Sequence, residues 1–300
     1  MAVFRADGTR RWLPDTIFGM DSAEVSLRGL ALGDAFGETW FRAARDPSTR
    51  VLAPGQWQWT DDTAMALGVF RVLRTHGRID QDELANQFAA EYARDPNRNY
   101  GSAMHDVLTA IRNGESWRSA AQRQFGGLGS WGNGAAMRVA PVGAWFALDE
   151  AVEQAVRSAE VTHAHPEAIA GAVAVAVATA LSISGVTSAD LLDEVLARVP
   201  SGQVRDGLRQ ARQIGFDVDP RDAAATLGNG SRLSAPDTVP YVVWSAARNL
   251  DDLVEALWDT VLGGGDTDTN CAMVGGIIAP RTGLDAVPDE WWQAVEPLPL

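Results

Sequence analysis

Pro166-Glu167-Ala168-Ile169-Ala170-Gly171-Ala172-Val173-Ala174-Val175-Ala176-Val177-Ala178-Thr179-Ala180-Leu181-Ser182-Ile183 contains the longest apolar run of the chain. Proline at its head suits the first turn of a helix, where the missing N–H is not needed. From Ala168 onward the residues are mostly Ala, Val and Gly. That falls short of a membrane span. The stretch reads as a central helix, apolar all round, whose small side chains let neighbours pack close on every side. Working outward, helix follows helix. Val25, Leu27, Leu30 and Leu32 begin one after Asp21 and Ser22; Met65, Leu67, Val69, Phe70 and Leu73 form another. Asp80-Gln81-Asp82-Glu83 opens a third with acids in its first turn, favoured by the helix dipole. Further helices are predicted over 102–112, 134–147, 149–161, 188–198, 202–213, 237–248, 250–262 and 268–279. Strand signals are few: there is no sustained polar–apolar alternation and no Asn-Gly hairpin between apolar runs. No Pro/Ser/Gly-rich linker divides the chain. The expected architecture is all-α, a compact single-domain multi-helix bundle over residues 21–300, preceded by an arm over residues 1–20.

The composition narrows the function. The chain has 300 residues, 46% hydrophobic and 21% charged, with 25 basic and 39 acidic groups and a formal charge of −14. All the basic side chains are arginines; the absence of lysine excludes a P-loop lysine and a Schiff-base lysine. The single cysteine, Cys271, excludes an internal disulfide and multi-cysteine metal sites. Four histidines without HExxH, and no GxSxG, argue against a zinc protease and an α/β-hydrolase elbow. The acidic balance and scattered arginines predict neither stable nucleic-acid binding nor membrane binding. Met1 is followed by mixed polar residues rather than an apolar leader, so a cytoplasmic location is expected.

Two acidic clusters concentrate oxygen donors: Thr60-Asp61-Asp62-Thr63 and Asp266-Thr267-Asp268-Thr269. Each precedes a predicted helix, and capping explains either one alone. Together, in a protein already at −14, they suit a hard cation such as Mg²⁺ or Mn²⁺. Gly263-Gly264-Gly265 before the second cluster allows close backbone approach. A Gly-rich loop, Gly126 to Gly134, runs into a predicted helix; it is either a plain flexible loop or an anion cradle. Its Gly127-x-Gly129-x-x-Gly132 match to the dinucleotide fingerprint lacks the strand that the motif needs. Thr162-His163-Ala164-His165 places two histidines before a helix, as metal ligands or as hydrogen-bonding groups at a site edge. Leu32-Gly33-Asp34-Ala35-Phe36-Gly37-Glu38 reads structurally as a helix C-terminus with Gly37 as a left-handed cap and Asp34 bonding locally. Its functional reading sets Glu38 beside the acidic clusters.

These motifs in their order resemble the ADP-ribosylglycohydrolase family: Gly33-Asp34-Ala35-Phe36-Gly37, Trp59 to Thr63, Tyr100-Gly101, Gly132 to Arg138, Thr162-His163 and Gly264 to Asn270. The resemblance spans residues 28 to 280. It implies an all-α fold and two Mg²⁺ ions (Mn²⁺ as a substitute) held by Thr60, Asp61, Asp62, Asp266, Asp268 and Thr269. It implies that Tyr100, Gly101, Ser130, Gly132, Asn133, Gly134, Met137, His163, Gly264 and Gly265 line a site for ADP-ribose. The implied reaction is hydrolysis at C1″ of ADP-ribose joined to a protein, a nucleic acid or a small molecule, with Asp62, Glu38 and Asp268 as the catalytic groups. Many members carry a Glu seven residues after the Asp of the Gly-Asp motif. Phe41 stands there in this chain, and Glu38 is the nearest carboxylate.

Overall fold

In the computed structural model, residues 2–4, 10–12, 18–41 and 45–300 are described. Ala2–Phe4 and Arg10–Trp12 pair as a short antiparallel hairpin. The rest of the expected arm, residues 1, 5–9 and 13–17, lies outside the described residues. Fifteen α-helices follow among the described residues. The central ones are α1 (Met20–Phe41), α2 (Asp61–His76), α6 (Ala140–Trp145), α8 (Pro166–Ile183), α12 (Ala235–Arg248) and α14 (Thr267–Thr282).

α8 is the buried centre expected from its sequence. The reading that the run falls short of a membrane span is corrected: by length and composition the helix would suffice to cross one, yet most of it is buried inside the molecule. Its neighbours are α6, α12, α14 and α7 (Leu148–Glu160). One hydrophobic core runs through all of these helices.

The closest crossing joins α1 to α14, and glycine makes it possible. A Cβ on Gly33 would lie 2.0 Å from the Cys271 carbonyl oxygen, and one on Gly37 would lie 2.3 Å from that of Thr267. Gly29 and Gly275 meet the same way farther along. Ser26 Oγ donates across the crossing to Gly276 O at 2.8 Å. Backbones that touch this closely bring the middle of α1 against the first turn of α14, which carries Thr267, Asp268 and Thr269.

Two sequence readings need correction. Gly37 does not end α1; the helix continues to Phe41, and Gly37 serves the crossing rather than a left-handed cap. The helix expected over 134–147 is broken. Asn133–Ala135 form a 3₁₀ turn, and α6 starts only at Ala140 with a proline in its first turn. Pro141 lacks an N–H, so it opens a helix readily but cannot sit inside one without losing a bond. Three helices went unpredicted: α5 (Trp117–Gln122), α11 (Pro220–Leu227) and α15 (Asp289–Ala294). The others match the expectation within a few residues.

Candidate functional site: a buried carboxylate centre

Asp34, in the middle of α1, organises the site. Its carboxylate is wholly buried and accepts from four donors: Thr60 N–H (2.9 Å), Thr60 Oγ1 (3.0 Å), Thr63 N–H (3.0 Å) and Thr63 Oγ1 (2.6 Å). These bonds fasten the first turn of α2 to α1. The expectation of purely local bonds for Asp34 is therefore wrong. Thr60 N-caps α2, with its hydroxyl oxygen facing Asp62 N–H.

Asp62 joins the two acidic motifs. Its Oδ2 lies 3.1 Å from Thr60 Oγ1 and accepts from Thr269 Oγ1 of α14 at 3.3 Å. Its Oδ1 is buried without a hydrogen-bond partner. Asp61 is fixed through its backbone, its N–H donating to Arg98 O at 2.7 Å. Asp266 stands at the N-cap position of α14 but makes no side-chain cap bond. Its Oδ2 instead accepts from Asn133 Nδ2 at 2.7 Å, tying the Gly-rich loop to the second acidic motif. The capping explanation thus fits Thr60 and not the aspartates.

The electrostatics follow from burial. Asp34, Asp61, Asp62, Asp266 and Asp268 are all buried. Desolvation first, and then the charge of neighbouring carboxylates, pushes Asp61 and Asp62 well above the usual range. Burial likewise raises Asp34 to about 7 and Asp266 to about 8, in each case with Asp268 as the main charged contributor. Among the described residues, none of Asp34, Asp61, Asp62 and Asp266 has an arginine ion pair. Nor do three or more Asp, Glu, His or Cys side chains there already form a closed metal cage. Like charges gathered in a dry site call for protons or a cation. The oxygen-only donor set and the orphaned Asp62 Oδ1 fit a hard divalent ion.

The Gly-rich loop supplies the facing wall. Gly132 pairs with Ser234 in an isolated antiparallel bridge. The loop enters a 3₁₀ turn rather than an α-helix, so the helix dipole expected for an anion cradle is missing. Ser130 is buried and its Oγ accepts from Gly132 N–H. His163 is buried against this loop: a Cβ on Gly134 would lie 3.0 Å from its Cε1, and one on Gly132 3.3 Å from its Nε2. Met137 Cε would lie 3.9 Å from the Gly134 Cβ. His163 Nδ1 is 2.7 Å from Thr162 Oγ1, and burial together with the Arg138 charge pushes its pKa down to about 3. His165 Nδ1 accepts from Glu167 N–H and caps α8, a structural hydrogen-bonding role.

Gly264 and Gly265 both have positive φ, and a Cβ on Gly265 would lie 2.2 Å from Asn229 O. Tyr100 has a buried hydroxyl without a partner, and its pKa is raised by burial and then by the charge of Asp61. Gly101 is the N-cap of α4 (Ser102–Arg112). Glu38 lies one turn beyond Asp34 on α1 and accepts from Asn99 Nδ2 at 3.2 Å. Phe41, the last residue of α1, is 48% exposed. Trp57 and Trp59 are packed in the core, whereas Trp131, within the Gly-rich loop, is 45% exposed.

Sequence reasoning missed three supports. Asp34 has no site role in the sequence reading, which gives it only local hydrogen bonds. Asn229 accepts at its carbonyl from Asp266 N–H and Asn270 Nδ2, and only the turn signal Gly228-Asn229-Gly230 marks it. Arg138 is wholly buried; its guanidinium donates to Gly134 O (3.1 Å) and Ser158 O (2.8 Å) and lies 4.4 Å from the Phe88 ring centroid.

Fold and site together define an all-α protein built round buried carboxylates, Asp34 in the middle of α1 and the others at the starts of α2 and α14. The chain belongs to the ADP-ribosylglycohydrolase family, whose model matches residues 17–298. It is 31% identical to ADP-ribosylhydrolase ARH3 of Xenopus tropicalis over 93% of this chain and 92% of that protein. The human ARH3 is 30% identical over 79% of this chain and 74% of its own length. The ADP-ribosylarginine hydrolase Tri1 of Pseudomonas putida (strain GB-1) is 26% identical over 92% and 74%. In fold the chain resembles a solved ADP-ribosylglycohydrolase-related protein complex, with a TM-score of 0.67, 24% identity, and coverage of 92% of this chain and 93% of that one.

Proposed function

We propose that this protein hydrolyses the bond between C1″ of ADP-ribose and an acceptor, reversing ADP-ribosylation, with two Mg²⁺ ions held by Thr60, Asp61, Asp62, Asp266, Asp268 and Thr269. The observation that carries the reading is the burial of these carboxylates together with the orphaned Asp62 Oδ1. When bound, the cations supply Lewis acidity at the ribose and at the attacking water. Asp62 or Glu38 accepts the proton of that water. Asn133, held by Asp266 and Thr238, keeps the Gly132–Gly134 wall in register with the carboxylates. His163 stays neutral and offers Nε2 at the edge of that wall. Met137, Ser130, Tyr100, Gly101 and the Gly264-Gly265 turn complete the walls for ADP-ribose. Carboxylates left ionised beside the cleavage point stabilise the oxocarbenium-like centre.

The test measures release of free ADP-ribose from arginine-linked, serine-linked, nucleic-acid-linked and O-acetyl substrates, each with Mg²⁺ and with EDTA. Metal-dependent release from one substrate supports the hydrolase and names its acceptor. Tight binding of ADP-ribose without release from any substrate would instead make the chain a binding protein, with Phe41 the first position to restore to Glu.

A further inference from the structure

The segment Trp57–Asp61 carries the first cation ligands, and two side chains distant in sequence hold it from outside the cluster. Arg98 touches it three ways and reaches Glu296 with a fourth contact. Its carbonyl accepts from Asp61 N–H (2.7 Å), its Nη1 donates to Trp59 O (2.8 Å), its guanidinium carbon lies 3.7 Å from the Trp59 ring centroid, and its fork grips Glu296. The fork is bidentate, with Nη1 to Oε2 at 2.6 Å and Nη2 to Oε1 at 2.7 Å. Its Nε lies 2.9 Å from Asp95 Oδ2. The backbone around Glu296 grips the same segment: Glu296 N–H donates to Trp57 O (2.9 Å), and Trp57 N–H donates to Ala294 O (2.7 Å). Arg98 and Glu296 side chains are only 18% and 22% exposed. A planar guanidinium answering a carboxylate, a carbonyl and an indole face together fixes geometry in a way a point charge does not.

We propose that Arg98 and Glu296 are positioning residues for the cation site: Glu296, acting through the Arg98 fork, sets the backbone of residues 59–61 and so aims Thr60, Asp61 and Asp62. This rests on the reading that those side chains hold divalent ions. Outer supports of metal ligands are commonly worth about 10- to 100-fold in affinity.

The experiment titrates Mn²⁺ by calorimetry into the metal-stripped full chain, well below its melting temperature, with the melting temperature recorded for each variant. Glu296→Gln and Arg98→Gln are each expected to weaken Mn²⁺ binding about tenfold. The double variant is expected to be no weaker than either single one, because the two side chains act as one unit. Arg98→Lys keeps the charge and loses the fork, and is expected to be weakened as well. Glu167→Gln is the control for stability alone. The Glu167 carboxylate accepts from Gln203 N–H and Val204 N–H at the start of another helix, so its loss should lower the melting temperature and leave the Mn²⁺ affinity unchanged. Wild-type affinity in Arg98→Lys and in either Gln variant would overturn the proposal while the cation site stands. An unaltered affinity in Asp62→Asn, or no binding by the wild type, would overturn the cation site and this proposal with it.

Discussion

Asp62 and His163 show how single side chains divide the work. Asp62 Oδ2 is bridged by threonines from both acidic motifs, while Oδ1 has no donor. Asp62→Asn keeps the shape and removes the charge. It should abolish detectable Mg²⁺ binding by calorimetry and lower ADP-ribose release by at least about 10²-fold, the lower range for a general base. The metal-free variant should melt at or above the wild-type temperature, since a buried like charge has gone. His163 works in the opposite direction, because burial disfavours its charged form. Its pKa is near 3 when folded and near 6.5 in an open chain, so between these values the unfolded chain binds the extra proton. The folded state therefore loses stability as pH falls from about 6.5 toward 3. At pH 5 the loss attributable to this ring is about 2 kcal/mol. His163→Gln removes that titration. Between pH 7 and pH 5 the change in its melting temperature should be more favourable than the wild type's by a few degrees. Parallel pH profiles for the two proteins would contradict the assignment.

Among the elements, the crossing of α1 with α14 decides whether the site exists. Asp34 comes from one helix and Asp268 and Thr269 from the other, and only glycines allow the separation seen. Gly33→Ala would set a methyl group 2.0 Å from a backbone oxygen of α14, which has no flexible end to move aside. The expected cost is about 3 kcal/mol, measured by denaturant unfolding, with weakened metal binding in whatever remains folded. A fully stable Gly33→Ala protein would mean that the two helices are farther apart than described.

The same crossing shows what could be read from sequence. The unbroken apolar run with proline at its head placed α8 correctly, because such a run has one interpretation once a membrane span is set aside. Thr60-Asp61-Asp62 and Asp266-Thr267-Asp268-Thr269 stood out because acids clustered with hydroxyls are uncommon before apolar helices. Gly37 was misread because a glycine near a helix end is as often a cap as a contact, and only the partner helix distinguishes them. Asp34, Asn229 and Arg138 were missed as supports because the partners that define their roles are distant in sequence: Thr60 is 26 residues from Asp34, Asn270 is 41 from Asn229, and Ser158 is 20 from Arg138. Arg98 and Glu296, 198 residues apart, are legible only in three dimensions.

For the molecule as a whole, the net charge of −14 and the buried carboxylates make stability depend jointly on pH and on cations. In the metal-free protein Asp34 titrates near 7 and Asp266 near 8, against about 3.8 in the open chain. Between pH 4 and 8 the folded state therefore holds protons that the unfolded chain has released. The slope of stability against pH is then negative, so these groups favour folding at low pH and cost stability as pH rises through their folded values. Below 6.5 His163 pulls the other way, so pH 6.5 to 8 is the window where the carboxylate effect stands alone. In EDTA the melting temperature should fall across that window, by an amount corresponding to about 2–3 kcal/mol. A divalent cation replaces the protons and must compete with them, so its stabilisation should grow with pH. With Mg²⁺ in millimolar excess the melting temperature should rise at both ends of the window, and more at pH 8 than at pH 6.5. In Asp62→Asn the Mg²⁺ increment should disappear. A flat or rising profile in EDTA would mean that the carboxylates are neutralised by something other than protons. A Mg²⁺ increment that is equal at both pH values would place the ion away from this cluster.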